Sequence, residues 1–175
     1  KAKIFNDDVS GFRVALLPAG RTAYISGQAV KADTLAESTK KTMEELFQTL
    51  KYLGGTPENI IHIKAFLTPM DQAVKSSQMI DGLFPVDRKP PVSLVEWFSS
   101  LPIEIEMIVA LPGDASATRS KETVIYKTPT GMKASPVFSR SAIAEVSDRI
   151  YVSGITAKTA GNNDERIRSV FNQLK

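Results

Sequence analysis

Residues 24–28 read Tyr24-Ile25-Ser26-Gly27-Gln28, and residues 151–155 read Tyr151-Val152-Ser153-Gly154-Ile155. The two stretches lie 127 positions apart. Downstream, Phe47-Gln48-Thr49-Leu50-Lys51 is matched by Phe171-Asn172-Gln173-Leu174-Lys175 at an offset of 124. Upstream, Phe138 and Arg140 lead into Ser141-Ala142-Ile143, as Phe12 and Arg13 lead into Val14-Ala15. Ordered matches at nearly one offset are the mark of an internal repeat, the second copy having a loop three residues shorter. The reading that follows is a complete first domain over 1–111, a linker over 112–122, and the opening of a second copy over 123–175 that stops inside its first helix. The linker assignment rests on the small and polar run from Pro112 to Arg119.

The local plan of the first copy is strand and helix in alternation. Phe12–Leu17 and Thr22–Gln28 read as a hairpin around Pro18-Ala19-Gly20. Thr34 with Glu37 three residues on is a capping box. Behind it, Leu35, Thr39, Met43, Leu46 and Leu50 fall at helical spacing until Gly54-Gly55. Ile60–Leu67 predicts a strand with Ile61, Ile63, Ala65 and Leu67 on one face and Ile60, His62, Lys64 and Phe66 on the other. A second helix is expected over 71–84, with Val74, Ser77 and Ile80 on one side and Pro85 as its stop. Strands Val92–Phe98 and Ile103–Leu111 complete a β-β-α-β-α-β-β order. That order predicts an α+β domain, a mixed sheet with two helices on one face.

Composition narrows the chemistry. The chain has 175 residues, no Cys and one His, His62. Thiol nucleophiles, disulfides and thiolate metal sites are excluded, and a His-based triad or zinc site lacks its parts. Acid–base work would fall to carboxylates, Lys or Tyr. A formal charge of +3 without a basic block, and without basic residues interleaved with aromatics, does not fit a nucleic-acid groove. No apolar run approaches the roughly 20 residues of a membrane span. The lack of Cys suits the cytosol, and Lys1 in place of Met leaves a leader open.

Three features could carry chemistry. Ser26-Gly27 ends a strand where Gly admits either a bulge or a ligand. Glu104 and Glu106 alternate onto one face of an otherwise apolar strand. Pro90-Pro91 stiffens the entry to Val92-Ser93-Leu94-Val95-Glu96, where Glu96 reads as structural. His62, in step with Lys64, reads as a surface or inter-subunit residue.

Tyr24-Ile-Ser-Gly-Gln28, the Gly-Gly helix end, Glu58-Asn59-Ile60 through Leu67, Pro91-Val92-Ser93-Leu94-Val95-Glu96 and Leu101-Pro102-Ile103-Glu104-Ile105-Glu106 together resemble the RidA/YjgF (reactive-intermediate deaminase) family. The likeness covers 12–111 continuously and 138–175 as the repeat. It implies a chorismate-mutase-like fold and a homotrimer in the cytoplasm, with small-molecule clefts between subunits. It also implies hydrolysis of 2-imino or enamino acids without metal or cofactor. By this resemblance Glu104 matches the water-handling Glu, and Ser26 the cleft Ser. Phe12 falls near the cleft Tyr, without its hydroxyl. Ser77 stands where many members place a cleft Asn. Leu94 takes the place of a small residue or Cys whose backbone meets the substrate carboxylate. Val92 stands where the family's carboxylate-clamping Arg belongs, and Arg88, four positions earlier, could substitute only by folding back. Imine hydrolysis is therefore the first expectation. A silent ligand-binding or scaffold trimer is the second, and the RNA cleavage or translational inhibition attributed to other members the third.

Overall fold

A computed structural model describes residues 3–6, 13–16, 20–113, 124–145 and 157–173. Strands β1 (Lys3–Asn6) and β2 (Arg13–Leu16) form a separate two-stranded sheet. β3 (Thr22–Gln28) leads to helix α1 (Leu35–Tyr52), then β4 (Ile60–Leu67), α2 (Ala73–Asp81), β5 (Val92–Glu96) and β6 (Ile103–Ala110). Beyond these come β7 (Val124–Lys127), β8 (Ser141–Ala144) and α3 (Asn163–Gln173). The main sheet runs β5-β4-β6-β3-β8-β7, with β4 and β5 parallel and every other pair antiparallel. This is the expected α+β mixed sheet with α1 and α2 on one face.

α1 begins and ends where its sequence says it should. Thr34 Oγ1 accepts the Glu37 amide at 3.2 Å, a cap worth about 1 kcal/mol. At the other end Gly54 takes φ +80°, and the amides of Gly54 and Gly55 return to the carbonyls of Lys51 and Leu50. That pair of bonds is a Schellman motif, which needs a residue free to adopt the left-handed conformation. Leu35, Met43, Leu46 and Leu50 face the sheet. The small residues between them tie down the incoming loop: Ser38 Oγ takes the Ala32 amide at 3.0 Å and Thr42 Oγ1 the Val30 amide at 2.9 Å. α2 is shorter than expected and presents Ala73, Ser76 and Ile80 inward, leaving Val74 outside. Thr39 Oγ1 meets Ser76 Oγ at 3.3 Å, so the helix contact is polar as well as close.

Two expectations change. In β4 the register against β6 shifts between Ile60 and His62. The extra residue places Ile60 in the main core beside Ile63, Ala65 and Leu67, while Ile61 joins Ala110 and Ile108 on the opposite side. Strict alternation therefore misassigns the first two residues. The expected hairpin of residues 12–17 with 22–28 is also replaced. β2 pairs with β1, and the edge of β3 is taken by β8, Thr22 to Ile25 lying against Ala144 to Ser141. Ile143 is thereby buried in the main core, and Arg21 Nε reaches Glu145 Oε1 at 3.0 Å. The boundary read at 112–122 thus lies between strands of one sheet. Phe171, the repeat counterpart of Phe47, is exposed on α3, whereas Phe47 packs edge-on against Phe84 with centroids 6.1 Å apart. Residues 151–155, which open the repeat in sequence, lie outside the described residues, as does most of the linker.

Candidate functional site

The face of the sheet away from α1 and α2 carries the polar side chains. On β6 these are Glu104 and Glu106, since Ile103, Ile105, Met107 and Val109 are buried in the helix-covered core. β3 contributes Tyr24 and Ser26, and β4 contributes His62, Lys64 and Phe66, all half-buried. Neither α1 nor α2 covers this face.

Ser26 and Gly27 sit at an irregularity in the β3–β6 ladder: Ile25 lies opposite Met107, and Gln28 opposite Ile105. Two residues thus stand against one, a β-bulge, a device that re-aims side chains at the ends of paired strands. It lets both the Ser26 amide and the Ser26 hydroxyl donate to the Arg140 carbonyl, each at 2.9 Å. Gly27 leaves room for its neighbour: a Cβ there would coincide with the Glu104 carboxylate. On the other side of Glu104 the register sets Phe66 directly across. The carboxylate thus lies against the Gly27 backbone, on a residue whose cross-strand partner is Phe66. Burial pushes its pKa above the usual carboxylate value, the negative charge of Glu106 adds to the rise, and Arg140 opposes it.

Next to this point a cavity of about 560 Å³ is lined by Ser26, Tyr24 and Glu106, with Tyr126, Phe138 and Ser139 arriving from the β7–β8 hairpin. Its walls are mostly apolar with a few polar groups, the usual make-up of a small-molecule site. Ser26, next to Gly27, and Glu104, against Gly27, lie on one face, with Ser26 but not Glu104 among the residues that line the cavity. The other expected site residues do not join them. Val92 and Leu94 pack against the helix-side core at the sheet edge, opposite Ile63 and Ala65. Ser77 is half-buried on α2, on the helix side. Arg88 does not fold back: its Nη2 donates to the Glu58 carbonyl at 2.8 Å, beyond the start of β4. From there to the Phe66–Glu104 end of the sheet is about 20 Å of strand. Phe12 lies outside the described residues; Phe138 stands on the cavity wall.

Three residues of the site escape sequence reasoning. Tyr126 and Phe138 can be found only by knowing that the β7–β8 hairpin crosses to β3. Arg140 is visible as part of the repeat, but nothing in its sequence surroundings gives it a role. Glu106, expected on one face with Glu104, is the carboxylate on the cavity wall. Away from this point, His62 Nε2 lies 3.0 Å from Ser93 Oγ, and burial followed by Lys64 lowers its pKa. Among the described residues no group of three or more His, Cys, Asp or Glu is arranged to hold a metal ion. Nor is any described helix long and apolar enough to cross a membrane.

Known proteins agree with this architecture. A conserved Rid-family protein of unknown function from Yersinia pestis superposes with a TM-score of 0.53 at 21% identity, covering 63% of this chain and 98% of its own. A YjgF-family protein from Neisseria meningitidis gives 0.50 at 15% identity, covering 65% and 97%. At such identities the likeness speaks for the fold alone. No curated protein matches the chain. The family model described as Endoribonuclease L-PSP matches residues 9–111, more than half of the sequence, including strands β3 to β6 with Ser26 and Glu104. The chain belongs to that family, the YjgF/RidA group.

Proposed function

We propose that this chain hydrolyses the C=N bond of a small reactive imine or enamine at the Ser26–Glu104 end of the open sheet face. The supporting observation is the Glu104 carboxylate lodged against Gly27, beside Ser26 and an apolar cavity, with a raised pKa. A carboxylate with that environment exchanges protons with water more readily near neutrality than an ordinary Glu. Glu104 takes a proton from water as the oxygen attacks the imine carbon, and the C=N electron pair moves to nitrogen. The proton is then returned to nitrogen, giving a carbinolamine; its hydroxyl proton passes by way of Glu104 to the nitrogen, the oxygen lone pair forms C=O as the C–N bond breaks, and ammonia leaves with a carbonyl product. Water supplies the oxygen, so the balance needs no oxidant, metal or cofactor. The Ser26 hydroxyl, which donates to the Arg140 carbonyl, keeps its lone pairs toward the ligand side.

The open face also supports assembly. A sheet with Tyr24, Phe66 and Ile108 half-buried on a side that no helix covers is completed by other sheets, and a homotrimer in which three faces meet is the arrangement proposed. A second reading has its own observation. Val92 and Leu94 face the helix layer, so no cation stands at the position of the family's clamp, and a non-catalytic ligand-binding trimer follows if nothing replaces it.

The two readings separate in an ammonia-release assay with 2-aminoacrylate or 2-iminobutanoate generated in situ. Catalysis predicts release above the spontaneous rate and a drop of at least about 100-fold in Glu104→Gln, the low end for loss of a general base. Release at the spontaneous rate by the unmodified chain refutes the enzyme reading.

A further inference from the structure

We propose that Arg140, on the approach to β8, is the residue that holds the carboxylate of the ligand over Ser26 and Glu104, in place of the clamp lost at Val92. The inference rests on the proposed site and adds to it the residue that supplies the cation.

The position of the charges around the site points to Arg140. Two carboxylates, Glu104 and Glu106, share the open face, and an anionic ligand could enter only against a compensating cation. Lys64 stands across from Glu106 and lies over the Phe66 ring, 4.5 Å from its centroid. Arg88 is held at the Glu58 carbonyl, and Arg21 is paired with Glu145. His62 is drawn toward its neutral form. Arg140 sits at the Ser26 end, fixed there by its own backbone, whose carbonyl receives both Ser26 bonds.

The guanidinium is also oriented. It lies over the Phe138 ring, 5.3 Å from the centroid, and Phe138 lines the cavity. Nη2 donates to the Lys133 carbonyl at 3.3 Å, while Nε is buried with no hydrogen-bond partner. A buried donor on a charged group left without an acceptor is costly, and a ligand carboxylate is the acceptor whose geometry suits the guanidinium fork. The influence of Arg140 on the Glu104 carboxylate places the two charges in one electrostatic neighbourhood.

Because the Ser26 anchor uses the backbone of residue 140, the side chain can be changed without removing the anchor. The test measures binding of 2-oxobutanoate, a 2-keto acid of the product class, and of its methyl ester to the 175-residue chain by calorimetry. In Arg140→Ala the acid should bind about 10- to 100-fold more weakly, the usual range for a lost charged hydrogen-bonded partner. The ester should bind both forms within about twofold. Arg140→Lys should recover part of the loss, and it carries the test if the alanine variant does not fold. Equal binding of the acid to the wild-type and Arg140 variants overturns the assignment of Arg140 and leaves the site standing. Absence of binding by both acid and ester to the wild type overturns the site and this inference together.

Discussion

Gly27 makes room for Glu104: the space a side chain would need at Gly27 is occupied by the Glu104 carboxylate. The contact is with the far end of a flexible side chain, so an added methyl displaces the carboxylate rather than the backbone. Gly27→Ala is therefore expected to keep the fold and lose the chemistry. Thermal unfolding should show a midpoint within a few degrees of the wild type, the effect of about 1 kcal/mol or less. Hydrolysis should fall at least about tenfold, since misplacing a catalytic group by about 1 Å can cost more than that. A Gly27→Ala protein with full activity would show that the position of Glu104 does not matter.

The pH dependence follows from the same carboxylate. Glu104 acts when ionised, and its pKa stands above 4.5 through burial and Glu106. Activity should fall as pH drops through that raised value. Removing the opposing charge in Arg140→Ala should move the acid limb to higher pH, and removing the like charge in Glu106→Gln should move it lower. Stability runs the other way. A carboxyl whose folded pKa is raised favours the fold at pH below its unfolded value and loses that contribution as pH rises through the folded one. Glu104→Gln should thus leave the melting temperature at pH 7 unchanged or higher while abolishing hydrolysis. An acid limb that stays in place in both charge variants would remove Glu104 as the group being titrated.

Much of this is legible in the chain because it is local. The Thr34 cap and the Gly54-Gly55 stop need only neighbouring residues, and Glu104 and Glu106 share a face by strand alternation alone. Alternation fails at Ile60 and Ile61, where a bulge inserts one residue, and bulges leave no composition signal in an Ile-Ile pair. The site is half legible. Ser26 and Glu104 are readable from their own strands, but the wall made by Tyr126, Phe138 and Ser139, with Arg140 beside it, depends on which strand takes the edge of β3. β8 takes that edge while β2 pairs with β1, and no periodicity within either strand decides between them. Val92 is conspicuous in sequence for the charge it lacks; its side chain faces the helices, so the question moves to which residue supplies the cation.

The open face predicts the oligomeric state. Tyr24 and Ile108 are half-buried on a sheet surface that no helix covers, and Ile61 and Ala110 form a small apolar cluster beside them. Light scattering at micromolar concentration should give about three times the chain mass. Ile108→Asp should shift it to monomer, because like charges brought together at a buried contact cost several kcal/mol, about what holds such an interface. A stable wild-type monomer would mean that the face stays open, and the three-sheet arrangement would be wrong.

The last prediction concerns the edge of β3. If β8 belongs to the first domain's sheet, the stability of that domain depends on Ile143, which is 1% exposed and sits in the same core as Ile25, Met43 and Met107. Truncating a buried Ile to Ala removes its transfer free energy and leaves a cavity, a loss of about 2–5 kcal/mol. For a chain of this size each kcal/mol lowers the melting temperature by about 2–4 °C. The chain has a single Trp, Trp97, just past β5 at the far side of the sheet, with its ring 6.0 Å from Phe66. Its fluorescence reports the unfolding of the first domain and not of a separate unit. Ile143→Ala should therefore lower the Trp97 transition by several degrees. A Trp97 transition that stays in place in Ile143→Ala would show that β8 does not share the core of the sheet that carries Trp97, and the wall that the β7–β8 hairpin gives the site would be wrong with it.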